Sequence, residues 1–255
     1  MKLIDTHCHL YLEEFKADIA EVMSRATAAG VEKIYLPAID SRETANMFEL
    51  EKLYPDQCIA MMGLHPCYVK ENYMAELAHV KNWLSQRKFA AVGEIGLDFY
   101  WDKTFVPQQY EAFGMQIEWA LEYELPIVIH CRDAMSETIG FVKKYKGRGL
   151  TGIFHCFGGS YEEACEIMDA GFYLGIGGVL TYKKSGLADV VAKTGIERLV
   201  LETDAPYLTP VPFRGKRNES SYLKYVTGKL AEATGKSLEE IAAVTTANAQ
   251  KIFGG

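Results

Sequence analysis

The sequence has no apolar run of the roughly 20 residues needed to cross a bilayer. It has no linker, low-complexity stretch or block of like charge to divide it. It has no surplus of basic residues: 27 Lys and Arg stand against 34 Asp and Glu, a net charge of -7. That balance excludes a protein built to coat nucleic acid, though not an enzyme with a local basic patch. Its six cysteines include no Cys-x-x-Cys pair, and no apolar leader opens the chain, so no disulfide framework is expected. These absences predict a reduced, cytoplasmic protein with no membrane partner, expected as a monomer. Also missing is a Gly-x-Gly-x-x-Gly turn after the first apolar run, which argues against a doubly wound dinucleotide fold.

What is present is regular. Eight apolar runs of strand length recur at 2–6, 33–39, 58–64, 89–95, 126–130, 152–155, 172–176 and 199–203. Between them lie helical segments: 13–29, one capped by Ser41 and closed by Pro55, 74–86, 107–124, 134–145, one opened by Ser160 with Glu163 as a capping box, and 185–193. Two further helices end the chain, the second capped by Ser237. Alternation at this spacing predicts an α/β protein, a single (β/α)8 TIM-like barrel over residues 1–255 with extra C-terminal helices.

Polar residues collect at the C-terminal ends of those strands. His7 and His9 end the first, His65 the third, Glu94 the fourth, His130 the fifth, His155 the sixth and Asp204 the eighth. Five of the six histidines therefore sit where a parallel barrel carries its chemistry. His79, in mid-helix, is expected to be exposed and inert. Residues i and i+2 of a strand share a face, so His7 and His9 can converge on one cation, with Cys8 turned away. Cys8, Cys131 and Cys156 are expected as buried small hydrophobes. The set suffices for two divalent cations, His7, His9 and Asp204 on one and His130 and His155 on the other. Glu94 would bridge them, and Asp204 would also take a proton from an attacking water. Glu202 shares a face with Asp204; one could ligate while the other orients a ligand, and Asp204 is taken as the ligand.

His65 has no cation left to serve and is expected to contact substrate phosphate or stabilise charge during the reaction. Arg214, on a basic loop after the eighth strand, and Arg132, two residues after His130, are further substrate-binding candidates. Phe99, Tyr100 and Trp101 could stack a base or form a packed lid. Lys143, Lys144, Lys146 and Arg148 read as solvated charges on the far face.

The motifs Asp5-Thr6-His7-Cys8-His9, Gly63-Leu64-His65-Pro66, Gly93-Glu94-Ile95-Gly96-Leu97-Asp98, His130-Cys131-Arg132, His155-Cys156-Phe157 and Glu202-Thr203-Asp204-Ala205-Pro206 occur in that order along the whole chain. Together they resemble the TatD family of metal-dependent deoxyribonucleases, within the amidohydrolase-like barrels. The resemblance implies a TIM-like barrel, two divalent metal ions and the ligand assignment above. It also implies hydrolysis of DNA phosphodiesters, often as a 3′-exonuclease on single-stranded ends. Magnesium is the expected metal by resemblance, while four histidines lean towards manganese or zinc. The alternative is a metal-dependent amidohydrolase or lactonase acting on a small molecule. Relatives of that kind often bridge their metals with a modified lysine after the fourth strand, where this chain has Glu94. A non-catalytic metal scaffold is a third reading, against which the complete ligand set argues.

Overall fold

The computed structural model describes residues 1–254. Its strands are β1 Leu3–Asp5, β2 Val31–Leu36, β3 Cys58–Ala60, β4 Val92–Asp98, β5 Ile127–Arg132, β6 Gly152–Phe154, β7 Tyr173–Ile176 and β8 Leu199–Leu201. The helices are α1 Ile19–Ala28, α2 Thr44–Leu53, α3 Tyr73–Gln86, α4 Val106–Glu122, α5 Met135–Lys143, α6 Tyr161–Asp169, α7 Leu187–Thr194, α8 Leu223–Thr234 and α9 Leu238–Phe253. All strand pairs are parallel, in the runs β1-β2-β3 and β4-β5-β6-β7-β8. Two seams close the circle. Gly93 N–H donates to the Met62 carbonyl at 3.1 Å, beside a parallel bridge from Met62 to Val92. Across the other seam Thr6 N–H donates to the Leu201 carbonyl at 3.0 Å. The fold is the expected (β/α)8 barrel.

Strand alternation sorts the core into two clusters. Ile4, Tyr35, Val128, Ile153, Tyr173 and Val200 meet one another together with Ala249 and Ile252 of α9. Tyr35 stacks on Phe253 with ring centroids 3.9 Å apart, so α9 packs onto this inner cluster. Their neighbours in sequence, such as Leu3, Ile34, Ile127, Phe154, Leu174 and Leu199, face the helices. Both faces of a parallel sheet are thus buried, which is why the strands read as continuous apolar runs. No described helix is long and apolar enough to cross a membrane.

Several boundaries differ from the sequence reading. β4 begins at Val92, because Phe89 packs on Phe48 of α2, and it extends to Asp98, paired with Arg132 of β5. β1 and β3 stop short, leaving His7, His9 and His65 on the loops that follow. The expected helix 13–29 is broken into a 3-10 turn at Glu13–Phe15 and α1. Arg217 takes the Glu14 carbonyl there and pairs with Asp18, so these groups serve the loop after β8 instead of a continuous helix. Ser41 does not cap α2. The Asp40 carboxylate accepts from Arg42 and Glu43 N–H at 3.0 and 3.3 Å, while the Ser41 hydroxyl donates to Glu76. Ser160 with Glu163 and Ser237 with Glu240 cap α6 and α9 as expected. His79 is half-buried and bonds Thr44 at 3.0 Å, tying α3 to α2, so the expectation of an exposed, inert side chain fails.

Candidate metal centre

The segments after β1 and β8 are held side by side by Asp5. Its buried carboxylate accepts from Thr203 N–H at 2.9 Å, from the Thr203 hydroxyl at 2.6 Å and from the Ser220 hydroxyl at 2.7 Å. Burial outweighs these bonds and raises its pKa to about 6. Asp204 N–H then donates to the His7 carbonyl at 2.9 Å, which brings the Asp204 carboxylate to the His7 and His9 rings. Glu94 sits where the pairing of β4 with β5 shifts register, between Gly93 and Ile95. An irregularity of this kind re-aims a side chain. Gly93 beside it admits no side chain, because a Cβ there would lie 2.8 Å from that of Val128.

Glu94 divides its two oxygens between two groups of imidazoles. Oε2 lies 3.1 Å from His7 Nε2 and 3.6 Å from His9 Nε2. Oε1 lies 2.8 Å from His130 Nδ1 and 3.5 Å from His155 Nε2. Asp204 Oδ1 adds to the first group, 3.7 Å from His7 Nε2 and 3.6 Å from His9 Nε2. Candidate ligand atoms gather in four overlapping sets here: His7, His9 and Glu94; His7, His155 and Asp204; Glu94, His130 and His155; and His65, Cys67 and His130.

Side chains behind the donors orient them. Asp98 Oδ2 lies 2.8 Å from His130 Nε2, and Tyr11 OH lies 2.9 Å from His9 Nδ1. Glu202 Oε1 lies 3.1 Å from His155 Nδ1 and accepts from Cys156 N–H. Glu202 therefore stands behind the site and Asp204 within it. His65 differs in kind. Its Nδ1 accepts from Cys67 N–H at 3.0 Å, which places the proton of the neutral ring on Nε2. Nε2, 3.1 Å from His130 Nδ1 and 3.4 Å from Glu94 Oε1, is thus a donor aimed into the site.

The electrostatics fit cations. Burial pushes Glu94 up, but His65, His7 and His155 outweigh it and hold the carboxyl well below its usual range. Asp204 is likewise lowered, burial being outweighed by His155, His9 and His7. Burial lowers His155, yet Glu202, Glu94 and Asp204 raise it to about 10. His7, buried and beside His155, is lowered. The carboxylates thus demand positive charge. Two buried imidazole nitrogens, on His7 and His9, also sit 3.2 Å apart and converge with two carboxylate oxygens. Such a donor set suits divalent cations with nitrogen and oxygen ligands.

The family model described as TatD related DNase matches residues 4–254. The chain belongs to the TatD family. The uncharacterized metal-dependent hydrolase YabD of Bacillus subtilis is 42% identical over 252 residues, 98% of each chain. A Pectobacterium carotovorum protein named 3′-5′ ssDNA/RNA exonuclease TatD is 32% identical over 257 residues, 98% of this chain and 99% of that one. Among solved structures, the TatD homologue YjjV of Escherichia coli superposes with a TM-score of 0.93 at 32% identity, covering 99% of this chain and 98% of that one. This TatD-family protein is accordingly a metal-dependent hydrolase acting on ester bonds.

His9, Glu94, His130, His155 and Asp204 open onto a cavity of about 700 Å³. His65, Arg132 and Trp101 also line it, while Tyr100 is exposed beside them. Arg214 does not line it; its guanidinium lies 4.3 Å from the centre of the Tyr182 ring. Phe99 is half-buried, packed against the core and Tyr110, and is separate from the exposed Tyr100 and Trp101. Cys8 is buried, and Cys131 and Cys156 are half-buried. Lys143 and Arg148 pair with Glu166 and Glu118.

Sequence reasoning gave no separate role to Asp98, although it shares a strand face with Glu94 four residues earlier. It also missed Gln109 and Gln116 of α4, for which the sequence carries no signal. Gln109 pairs both amide atoms with the backbone of Asp98, and Gln116 does the same with Leu64. These bonds brace the ends of the segments that carry Asp98 and His65.

Proposed function

We propose that this protein is a divalent-metal-dependent deoxyribonuclease that removes nucleotides from the 3′ ends of single-stranded DNA. The observation that carries the reading is the division of the Glu94 oxygens between His7 with His9 and His130 with His155. A single carboxylate so placed can hold two cations a few ångströms apart. In this reading His7, His9, Asp204 and Glu94 would hold one, and His130, His155 and Glu94 would hold the other. Bound there, two such ions, magnesium being the expected metal, would supply polarisation of a phosphoryl group and a lowered pKa for water. The named 3′-5′ exonuclease relative supports the choice of DNA ends.

The protein's own groups do the rest. Asp204, kept ionised by the surrounding histidines, takes the proton of the attacking water. His65 donates from Nε2 to a phosphate oxygen, and Arg132 holds phosphate from the cavity wall. Arg214 serves a phosphate only on a strand that extends beyond the cavity. The test is product analysis on end-labelled single-stranded DNA with Mg²⁺, Mn²⁺ or Zn²⁺, against a chelator control. Stepwise, metal-dependent shortening from the 3′ end is expected. Absence of cleavage with every metal would move the reading to a small-molecule hydrolase.

A further inference from the structure

At the cavity mouth stands a group that hydrolysis of a phosphodiester does not itself require. Trp101 lines the cavity yet is 68% exposed, and Tyr100 beside it is 50% exposed. Their rings are perpendicular, with centroids 4.9 Å apart. The Arg132 guanidinium lies 3.9 Å from the Tyr100 ring centre and 5.2 Å from that of Trp101. Tyr100 thus supports the guanidinium, and most of the indole surface remains open. Among the described residues no carboxylate pairs with Arg132, since the neighbouring Asp98 is engaged by His130.

The group is held in place. Asp98 Oδ1 accepts from Tyr100 N–H at 2.9 Å and from Trp101 N–H at 3.0 Å, while Oδ2 of the same carboxylate holds His130. One side chain therefore sets both a candidate metal ligand and the two aromatics at a fixed relation. Large aromatic side chains are ordinarily drawn into the core, and one left exposed beside an unpaired guanidinium at a cavity mouth suits a flat ligand that carries negative charge.

We propose that Trp101 is a stacking platform for an unpaired nucleobase next to the scissile phosphate, with Arg132 holding the adjoining phosphate. The proposal rests on the nuclease reading and deepens it: an unpaired base offers a free face to the indole on entering the cavity, so this subsite favours single-stranded ends. Stacking is tolerant of base identity, so little sequence preference is expected.

The experiment compares kcat/KM on two end-labelled single strands, one normal and one with abasic residues on both sides of the terminal linkage. Trp101→Ala should lower the value about tenfold on the normal strand and leave the abasic strand unchanged. Trp101→Phe should restore most of the loss, and Arg132→Ala should weaken both substrates, because both keep the phosphate. Equal losses on the two strands with Trp101→Ala, or none on either, would overturn the platform while leaving the nuclease reading intact. Failure of the unaltered protein to cleave any strand with any metal would overturn both. The exposure of Trp101 makes its truncation harmless to folding, which an unchanged melting temperature will verify.

Discussion

Nε2 of His130 lies 2.8 Å from Oδ2 of Asp98, while Nδ1 of the same ring lies 2.8 Å from Oε1 of Glu94. Without a metal, both nitrogens can donate to these carboxylates; in the neutral ring, Nε2–H donating to Asp98 fixes the tautomer and orientation and leaves Nδ1 to ligate. Asp98→Asn replaces one carboxylate oxygen with a donor and loosens that hold. Metal affinity should fall about 10- to 100-fold by calorimetric titration. Unchanged affinity would show that His130 needs no such support.

Glu94 and Asp204 are the two carboxylates that lie within 4 Å of both His7 Nε2 and His9 Nε2. Glu94→Gln and Asp204→Asn keep shape and remove charge. Each should lower kcat by on the order of 10³-fold or more. Either variant retaining near-full turnover would reject that residue's assigned role.

The carboxylates raise His155 to about 10, from an ordinary value of 6.5. In the metal-free protein the protonated ring therefore stabilises the fold fully below about pH 6.5, and that contribution is lost as pH rises towards 10. A metal requires the neutral ring, so its binding must displace that proton and strengthens as pH rises. The fall in melting temperature on adding a chelator should consequently be larger at about pH 8.5 than at about pH 6. A pH-independent difference would contradict this coupling.

Gln116 accepts from Leu64 N–H at 2.7 Å and donates to the Leu64 carbonyl at 3.3 Å, all in a buried setting. Gln116→Leu leaves that backbone pair without a side-chain partner. The expected cost is about 3 kcal/mol of stability, read by denaturant unfolding. Because Leu64 precedes His65, activity should fall further than folding alone explains.

Glu219, almost wholly buried, takes three bonds from Arg25, at 2.8 and 3.1 Å from Nε and 2.6 Å from Nη2. Burial raises the Glu219 pKa, but Arg25 and Ser221 outweigh it and hold the carboxyl below its ordinary 4.5. This contribution is present above that value and is lost as pH falls through the lowered one. Glu219→Gln should destabilise the protein by about 1 kcal/mol near neutral pH and by less in acid, measured by thermal unfolding.

Much of the protein was legible from one dimension. Apolar runs alternating with helical segments follow from burying both faces of a parallel sheet, and eight of them in 255 residues left the barrel as the economical closure. The donors were legible too, because a parallel barrel presents its strand ends at one face, so His7, His9, Glu94, His130, His155 and Asp204 were bound to meet. Caps such as Ser160 with Glu163 were local and therefore readable.

What the tertiary structure decided depends on contacts between residues far apart in the chain. Pattern does not reveal that Arg217 would interrupt a helix by taking the Glu14 carbonyl, or that Gln109 and Gln116 would brace two strand ends. Nor does it show that Cys67 N–H makes His65 a donor, or that Arg214 turns to Tyr182 and away from the cavity wall. Residue type and spacing determined which groups collect at the barrel mouth. Hydrogen-bond partners, supplied only once the chain closes on itself, decided which way each group points and which proton it carries.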